Sequence, residues 1–134
     1  MIKNKNNLDL TNLNEKLLKQ LILEYISSFM YELVNSFCFV DSEYKIKLGD
    51  KYNYIEILLF NYIYNYFIII ELKVTKLKKE HIGQIETYMN YIDKNIRTIN
   101  QDKTIGIIIC KKGNSFIMEY CSDERIFIKE YEFL

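Results

Sequence analysis

A chain of 134 residues has the length of a single domain and can bury a core without disulfide bonds or structural metals. Hydrophobic residues make up 49% and charged residues 27%, which excludes an intrinsically disordered chain. Lysine plus arginine and aspartate plus glutamate each number 18, which excludes polybasic nucleic-acid binding but leaves a local basic groove open. We therefore expect one domain over residues 1–134, with residues 1–10 forming a flexible N-terminal arm.

The cysteines and the apolar runs limit the class of protein further. Cys38, Cys110 and Cys121 form no CxxC pair and are odd in number, which argues against a disulfide framework or a structural zinc site. Cys38 and Cys110 lie in apolar runs and are predicted to be core residues. The N-terminus has no signal-peptide pattern, and the most apolar stretch, residues 55–70, is too short to span a membrane. These features predict a cytoplasmic protein with no membrane partner.

The first half of the chain changes from helical to alternating periodicity. Residues 12–36 carry apolar side chains at the i, i+3, i+4 spacing of an amphipathic helix. Residues 44–48 alternate between apolar and lysine side chains, which predicts a half-buried strand, and Gly49-Asp50 then supplies a turn. Residues 53–60 and 66–73 are rich in Ile, Leu, Phe and Tyr, so we predict a β-hairpin of two long central strands.

The second half returns to a helical period and then to strands. Residues 78–96 place isoleucine and methionine side chains on one helix face. Residues 104–110 form a continuous apolar run, which is typical of a strand buried on both faces. Residues 115–121 are ambiguous, and residues 126–132 predict an edge strand. The order αβββαβ, with a helical crossover after the hairpin, predicts an α/β fold with a mixed sheet and helices packed on it.

The predicted hairpin collects charged side chains within otherwise apolar strands. Glu71 and Lys73 are two residues apart and therefore point to the same side of their strand. With a turn centred between residues 63 and 64, Glu56 lies directly opposite Glu71. Two facing carboxylates are destabilising unless something compensates them, and a divalent cation such as Mg²⁺ is the natural candidate. In the alternative interpretation, Glu71 and Lys73 form a solvated strand end and Glu56 pairs with a lysine.

The hairpin motif resembles the PD-(D/E)xK nuclease superfamily. The resemblance rests on the run Ile55-Glu56-Ile57, the fifteen-residue separation of Glu56 from Glu71, and Glu71-Leu72-Lys73. From about residue 15 to the end, the chain more narrowly resembles the C-terminal nuclease domain of the YhcG-like family of bacterial proteins. The matching segments are residues 37–40, 54–60, 68–73, 105–111 and 130–131. This resemblance implies a restriction-endonuclease-like αβββαβ core, with a mixed central sheet flanked by helices and a metal site on the hairpin.

The resemblance also implies roles for the residues of the hairpin. Glu56 and Glu71 would bind Mg²⁺ or Mn²⁺ together with the backbone carbonyl of Leu72, and the two glutamates would serve catalysis of phosphodiester hydrolysis with Lys73. Lys73 would position the attacking water. Glu32, in the first helix, matches an acidic family position that completes the metal site; the other interpretation is a solvated residue on the polar side of that helix.

Further residues follow the hairpin. Gln84 and Tyr88 match the Gln-x-x-x-Tyr motif of the RecB-like branch, in which these side chains support the site and contact DNA, so Gln84 is a catalytic candidate. They are four residues apart and share a helix face. Three lysines directly after the site are candidates for contacts with DNA phosphates: Lys76, Lys78 and Lys79. His81, the single histidine, is interpreted as a surface residue.

The expected function is a metal-dependent DNA nuclease that hydrolyses phosphodiester bonds. The family normally has aspartate where this chain has Glu56, and the extra methylene displaces the carboxylate. The alternative is therefore a weakened or inactive nuclease-fold module that acts in DNA binding or protein interaction; a structural oligomer subunit is a third interpretation. Expected partners are DNA, a second copy in a homodimer, and a partner protein that supplies the helical domain found before the nuclease domain in family members.

Overall fold

The computed structural model describes residues 36–130 and Glu24. Glu24 is helical and Ser36 lies in a turn; the rest of the predicted first helix lies outside the described residues. The elements that follow are β1 (Phe37–Leu48), β2 (Lys51–Asn61), β3 (Tyr66–Lys76), α1 (Lys79–Asn95), β4 (Ile105–Lys112), α2 (Ser115–Glu119) and β5 (Ile126–Glu130).

The five strands form one mixed sheet in the order β1-β2-β3-β4-β5. Strands β1, β2 and β3 pair antiparallel, whereas β3, β4 and β5 pair parallel. The connection from β3 to β4 runs through α1, as a parallel pair requires a crossover. The predicted α/β fold with a mixed central sheet is confirmed, and β5 is the edge strand predicted for this part of the chain.

Strand β1 is longer than its predicted span of residues 44–48. It begins at Phe37, and its pairing register with β2 shifts between Phe39 and Asp41. Most side chains of residues 37–43 are exposed, so this part of the strand has no alternation of buried apolar and exposed polar residues from which it could be predicted. The strand exists because β2 supplies a backbone ladder along its whole length. The predicted turn is present, and Gly49 adopts φ +63°, a left-handed conformation that favours glycine.

The β2–β3 hairpin has the predicted register, with Ile57 opposite Ile70 and Asn61 opposite Tyr66. Its turn is held by Asn61, whose Oδ1 accepts hydrogen bonds from the backbone N–H groups of residues 63 and 64 at 3.0 and 2.9 Å. Asn65 adopts φ +62°, which asparagine tolerates better than most residues. Turn chemistry thus fixes the register on which the position of the charged residues depends.

Both faces of the central strands are buried, which explains their continuous apolar sequence. On one face, α1 packs Ile85, Met89 and Ile92 into a core that also contains Ile69 of β3. Gly106 of β4 lies beneath this helix: a Cβ there would come within 2.6 Å of the Met89 Sδ atom, so glycine permits the close approach. On the opposite face a second cluster is buried, consisting of Ile57, Leu59, Ile68 and Ile70.

A polar network attaches the C-terminal half of α1 to the start of β4. The Asp93 carboxylate accepts hydrogen bonds from the Thr104 backbone N–H at 2.9 Å and from its hydroxyl at 2.7 Å. It also forms an ion pair of 2.9 Å with Arg125 Nη1. Because Thr104 is completely buried, Asp93 satisfies a backbone donor that has lost its water. The carboxylate therefore fixes the position of the helix relative to the sheet.

The cysteine prediction holds in part. The three cysteines are free thiols, and Cys110 is buried, but Cys38 is exposed, so its assignment to the core was wrong. Cys38 lies in the segment of edge strand β1 whose side chains face solvent. Within the part of the chain that the structure describes, no helix is long and apolar enough to cross a membrane.

Candidate active site

The candidate site lies where the β2–β3 hairpin opens. The ladder between these strands runs from the Asn61 pair to the pair of Ile57 with Ile70. The next facing residues are Glu56 and Glu71, as the predicted register requires. Glu71 is 2% exposed, and Glu56 is half-buried. Glu71 is therefore part of the interior, and the interpretation of a solvated strand end is wrong for it.

The two glutamates exchange hydrogen bonds with the opposite strand. The backbone N–H of Glu56 donates to the Glu71 carboxylate at 2.8 Å, and the backbone N–H of Leu72 donates to the Glu56 carboxylate at 3.0 Å. In the β2–β3 ladder, backbone carbonyl oxygens accept the hydrogen bonds of the backbone N–H groups. Beyond the end of the ladder, carboxylate oxygens of the two glutamates take this role. Hydrogen bonds to charged acceptors are the stronger kind, so this arrangement stabilises two carboxylates at one place.

Lys73 reaches the same region and is held by the helix. Its Nζ donates to the Oε1 atom of Gln84 on α1 at 2.9 Å. Lys73 is half-buried on the face of β3 that α1 covers, and it shares this face with Glu71. The structure thus brings together Lys73 and Gln84, which lie eleven residues apart in the sequence.

Tyr88 is buried beneath Gln84 on the same side of α1. Its pKa is raised above the ordinary value, first by burial and then by the negative charge of Glu71, with a smaller effect of Glu56. A hydrogen bond with the Gln84 side chain acts in the opposite direction. Tyr88 therefore keeps its proton at neutral pH. The effects of the two carboxylates on one phenol indicate that Tyr88 adjoins the carboxylate pair.

His81 lies in the first turn of α1 and is partly buried. The sequence had predicted a surface residue at this position. Its Nδ1 accepts a hydrogen bond from the Lys78 backbone N–H at 3.0 Å, which caps the helix and requires an unprotonated Nδ1. The pKa of His81 is lowered, first by burial and then by the positive charges of Lys73 and Lys78. A neutral imidazole thus accompanies the lysines at this end of the site.

The candidate DNA-binding lysines lie at the end of β3 and at the start of α1. Lys76, Lys78 and Lys79 are exposed, and Lys76 pairs with Lys112 across the parallel ladder. Their side chains are accessible to an anionic ligand at the edge of the sheet next to Lys73. The same edge also carries Glu80, so the basic character is local.

The donor set at the hairpin suits a hard divalent cation. The Glu56 and Glu71 carboxylates supply the oxygen ligands that Mg²⁺ prefers, usually one or two carboxylates with several waters. Because the N–H and C=O of one strand residue point to the same side, the Leu72 carbonyl is directed towards β2 and Glu56. Among residues 36–130 and Glu24, no three His, Cys, Asp or Glu side chains form a group that could hold a metal. The third acidic candidate, Glu32, lies outside the described residues.

One feature beside the site was not predicted from the sequence. A cavity of about 440 Å³ lies between α1 and α2, and Phe116 and Tyr120 of the ambiguous segment line it. The two aromatic side chains are four residues apart, a spacing that places them on the same face of a helix. The spacing was present in the sequence, but a helix of five residues is too short for a periodic signal.

The mixed sheet and its helices have a restriction-endonuclease-like fold. The family model described as the YhcG PDDEXK nuclease domain matches residues 1–134. The chain therefore belongs to this family. It is also 26% identical, over 96 residues, to the Escherichia coli K12 protein named "Putative nuclease YhcG"; the match covers 71% of this chain and 26% of that protein. The chain thus matches about a quarter of the length of this curated relative.

Solved structures share the fold at low sequence identity. A repair endonuclease from Pyrococcus abyssi superposes with a TM-score of 0.58 and 13% identity, over 90% of this chain and 49% of that chain. A complex of EndoMS with double-stranded DNA has a TM-score of 0.56 and 16% identity, over 82% of this chain and 44% of that one. These similarities show that the sheet and its helices are arranged as in nucleases.

Proposed function

We propose that this domain is a metal-dependent DNA nuclease that hydrolyses phosphodiester bonds. The observation that carries the proposal is the pair of facing carboxylates, Glu56 and Glu71, within reach of a lysine that Gln84 holds in place. Membership of a nuclease domain family supports the same reaction class. A site of this kind has little reason to occur in a sheet that serves only as a scaffold, because facing like charges are destabilising.

In this proposal Glu56 and Glu71 hold Mg²⁺ or Mn²⁺, with the Leu72 carbonyl as a third oxygen ligand and Glu32 as a candidate fourth. A divalent cation supplies Lewis acidity here: it makes water a better nucleophile and neutralises charge that builds on the phosphate. The glutamates themselves set the position of this charge along β2 and β3. Their hydrogen bonds to backbone N–H groups orient the carboxylates before any ligand arrives.

Lys73 positions the reacting groups. An ammonium has three N–H donors, and one of them is directed to Gln84 Oε1. The other two can contact a non-bridging phosphate oxygen and the attacking water. The water oxygen forms a bond to phosphorus while the phosphorus–oxygen bond to the leaving nucleotide breaks; the water loses a proton, and the leaving oxygen gains one. Tyr88 acts as a positioning residue, because it contacts Gln84 and not the reacting atoms.

The exposed lysines at this edge give the proposed DNA contact. Lys76, Lys78 and Lys79 would bind backbone phosphates, which orients a nucleic acid without reading its sequence. Lys112, the cross-strand partner of Lys76, extends the same basic edge. Contacts of this kind predict DNA binding that weakens steeply as the salt concentration rises. For the assembly, we propose a homodimer and a partner protein that supplies a helical domain.

A second function, a DNA-binding module without catalysis, is favoured by one specific observation. Each carboxylate already accepts a backbone N–H from the opposite strand, so the pair has stabilising contacts that need no cation. Glu56 also stands where the family normally has aspartate. A chain that has lost its cation could therefore retain this geometry and still bind DNA through its lysines.

A cleavage assay with Mg²⁺ or Mn²⁺ separates the two functions. Single-stranded, duplex and branched DNA are incubated with the wild-type chain and with the variants Lys73→Ala and Glu56→Asp. Cleavage that is lost in Lys73→Ala supports the nuclease. Activity in Glu56→Asp alone identifies a nuclease inactivated at that residue. If none of the three proteins cleaves DNA or binds either cation, the nuclease proposal is wrong.

A further inference from the structure

The cavity between α1 and α2 is separate from the carboxylate site. Its walls come from the first half of α1 and from the segment around α2, and its volume of about 440 Å³ is within the range of small-molecule sites. Ile82 and Ile117 contribute apolar walls, and the polar groups of the lining are Lys79, Glu86 and Ser122. The cavity is therefore an apolar slot with hydrogen-bonding groups, and the proposed chemistry of the hairpin does not use it.

Two aromatic rings stand beside this slot and are exposed. Phe116 is 73% exposed and Tyr120 is 77% exposed, although large aromatic side chains usually bury most of their surface. The Asn114 side chain caps the short helix that carries them by accepting the backbone N–H groups of residues 116 and 117. Phe116 lies within this helix, and Tyr120 is the residue at its C-terminal end.

Gly83 forms part of the cavity wall on α1. It lies in the interior of α1, where glycine destabilises a helix by about 1 kcal/mol relative to alanine. In the described part of the chain, a Cβ at this position would meet nothing within 4 Å, and the residue has no positive φ that would require glycine. Neither packing nor backbone geometry explains this glycine. Its missing side chain leaves the wall of the cavity open.

The position and charge of the slot indicate the kind of ligand. Gly83 and Gln84 are successive residues of α1, so the cavity and the carboxylate site lie on two sides of one helix. A helix is about 10 Å across, which three or so nucleotides span at a spacing of about 3.4 Å. Lys79 lines the cavity, and Lys76 and Lys78 are exposed in the segment that leads from β3 into α1. A polyanion with flat, apolar groups along it is complementary to this arrangement.

We propose that the α1–α2 cavity binds an unpaired nucleobase of the DNA substrate, stacked against Phe116 and Tyr120. The proposal rests on the nuclease function proposed above and adds a substrate class: DNA with a single-stranded segment next to the scissile phosphate. Stacking on aromatic side chains is the usual way in which proteins hold unpaired bases, and it tolerates any base because every base has a π-face. Bases within a duplex are already stacked on each other and cannot enter the slot.

The test compares the binding of single-stranded and blunt duplex DNA, with Ca²⁺ in place of Mg²⁺. Labelled oligonucleotides of equal length are titrated with the wild-type chain, Tyr120→Ala, Phe116→Ala and Gly83→Leu, which fills the slot without removing a ring. Tyr62→Ala is the matched control, because Tyr62 is 54% exposed at the opposite end of the hairpin. Thermal unfolding of each variant verifies that it is folded.

We expect the dissociation constant for single-stranded DNA to rise about fivefold or more in the three cavity variants and to remain unchanged in Tyr62→Ala. Duplex binding should be the same in all five proteins. The inference is overturned if the cavity variants bind single-stranded DNA as the wild type does, or if they lose duplex binding equally. If the wild type then still cleaves DNA with Mg²⁺, only the cavity proposal is wrong and the proposed nuclease function stands. A wild-type chain that neither binds nor cleaves DNA contradicts both proposals.

Discussion

Replacing Glu56 by glutamine should stabilise the domain when no divalent cation is present. Glu56 and Glu71 follow the last β2–β3 pair, and each carboxylate accepts a backbone N–H of the opposite strand; facing Cβ atoms in a continued register are about 5 Å apart. At an effective dielectric constant of about 20, two unit charges at this distance repel by about 3 kcal/mol. The glutamine oxygen can still accept the Leu72 N–H, but a neutral acceptor is weaker by about 1 kcal/mol.

The net expectation for Glu56→Gln is a free energy of unfolding about 2 kcal/mol larger than that of the wild type in EDTA. For a domain of this length, this corresponds to a melting temperature about 6 °C higher. Thermal and urea unfolding at pH 8 measure the difference. Glu80→Gln is the control, because it changes the net charge equally at an exposed position and should leave the stability unchanged within about 0.5 kcal/mol.

Adding Mg²⁺ should reduce the difference in stability between the two proteins. A cation that both carboxylates bind stabilises the wild type by mass action, whereas the glutamine variant has lost one charged ligand. The cation should therefore raise the melting temperature of the wild type more than that of Glu56→Gln. The reasoning is refuted if Glu56→Gln is less stable than the wild type in EDTA, since repulsion would then not be the larger effect.

Three further predictions concern stability. Because the pKa of His81 is lowered, the unfolded chain binds its proton more readily, so the free energy of unfolding falls as the pH drops through about 6.5 towards the folded pKa. His81→Asn, which keeps an acceptor at the Nδ1 position, should remove this part of the decline between pH 8 and 5.5 in urea titrations. Gly106→Ala should cost about 1–3 kcal/mol, measured by urea unfolding, because its Cβ would displace the Met89 side chain. Asp93→Ala should cost about 2–4 kcal/mol, since a buried N–H loses its acceptor and Arg125 loses one of its ion-pair partners, and Asp93→Asn should cost less because it keeps an acceptor oxygen; equal losses would contradict the role of the neutral hydrogen bonds.

The sequence predicted the fold well where apolar periodicity and turn residues agreed. The β2–β3 register follows from a turn that Asn61 and Asn65 stabilise, and this register made the pairing of Glu56 with Glu71 predictable. The first half of β1 was missed because an edge strand can form through its backbone alone, with side chains that face solvent. Cys38 was misassigned for the same reason.

The residues of the candidate site could be proposed from the sequence, but the contacts between them could not. The resemblance named Lys73 and Gln84, yet no pattern in the sequence shows that a lysine on β3 meets a glutamine eleven residues later. That contact depends on the crossing of α1 over the sheet. The hydrogen bonds from backbone N–H groups to the two carboxylates could not be predicted from the sequence either, because they depend on where the β2–β3 ladder ends.

The place of β3 in the middle of the sheet has a consequence for the order in which parts of the domain open. Glu71 and Lys73 belong to a strand that pairs with β4 along the site, so their amide hydrogens should exchange only when the whole sheet opens. The segment around α2 and β5 lies at the edge and should open at a lower free energy. The candidate site therefore belongs to the part of the described sheet that we expect to open last, whereas the α2 wall of the neighbouring cavity belongs to a part that we expect to open earlier.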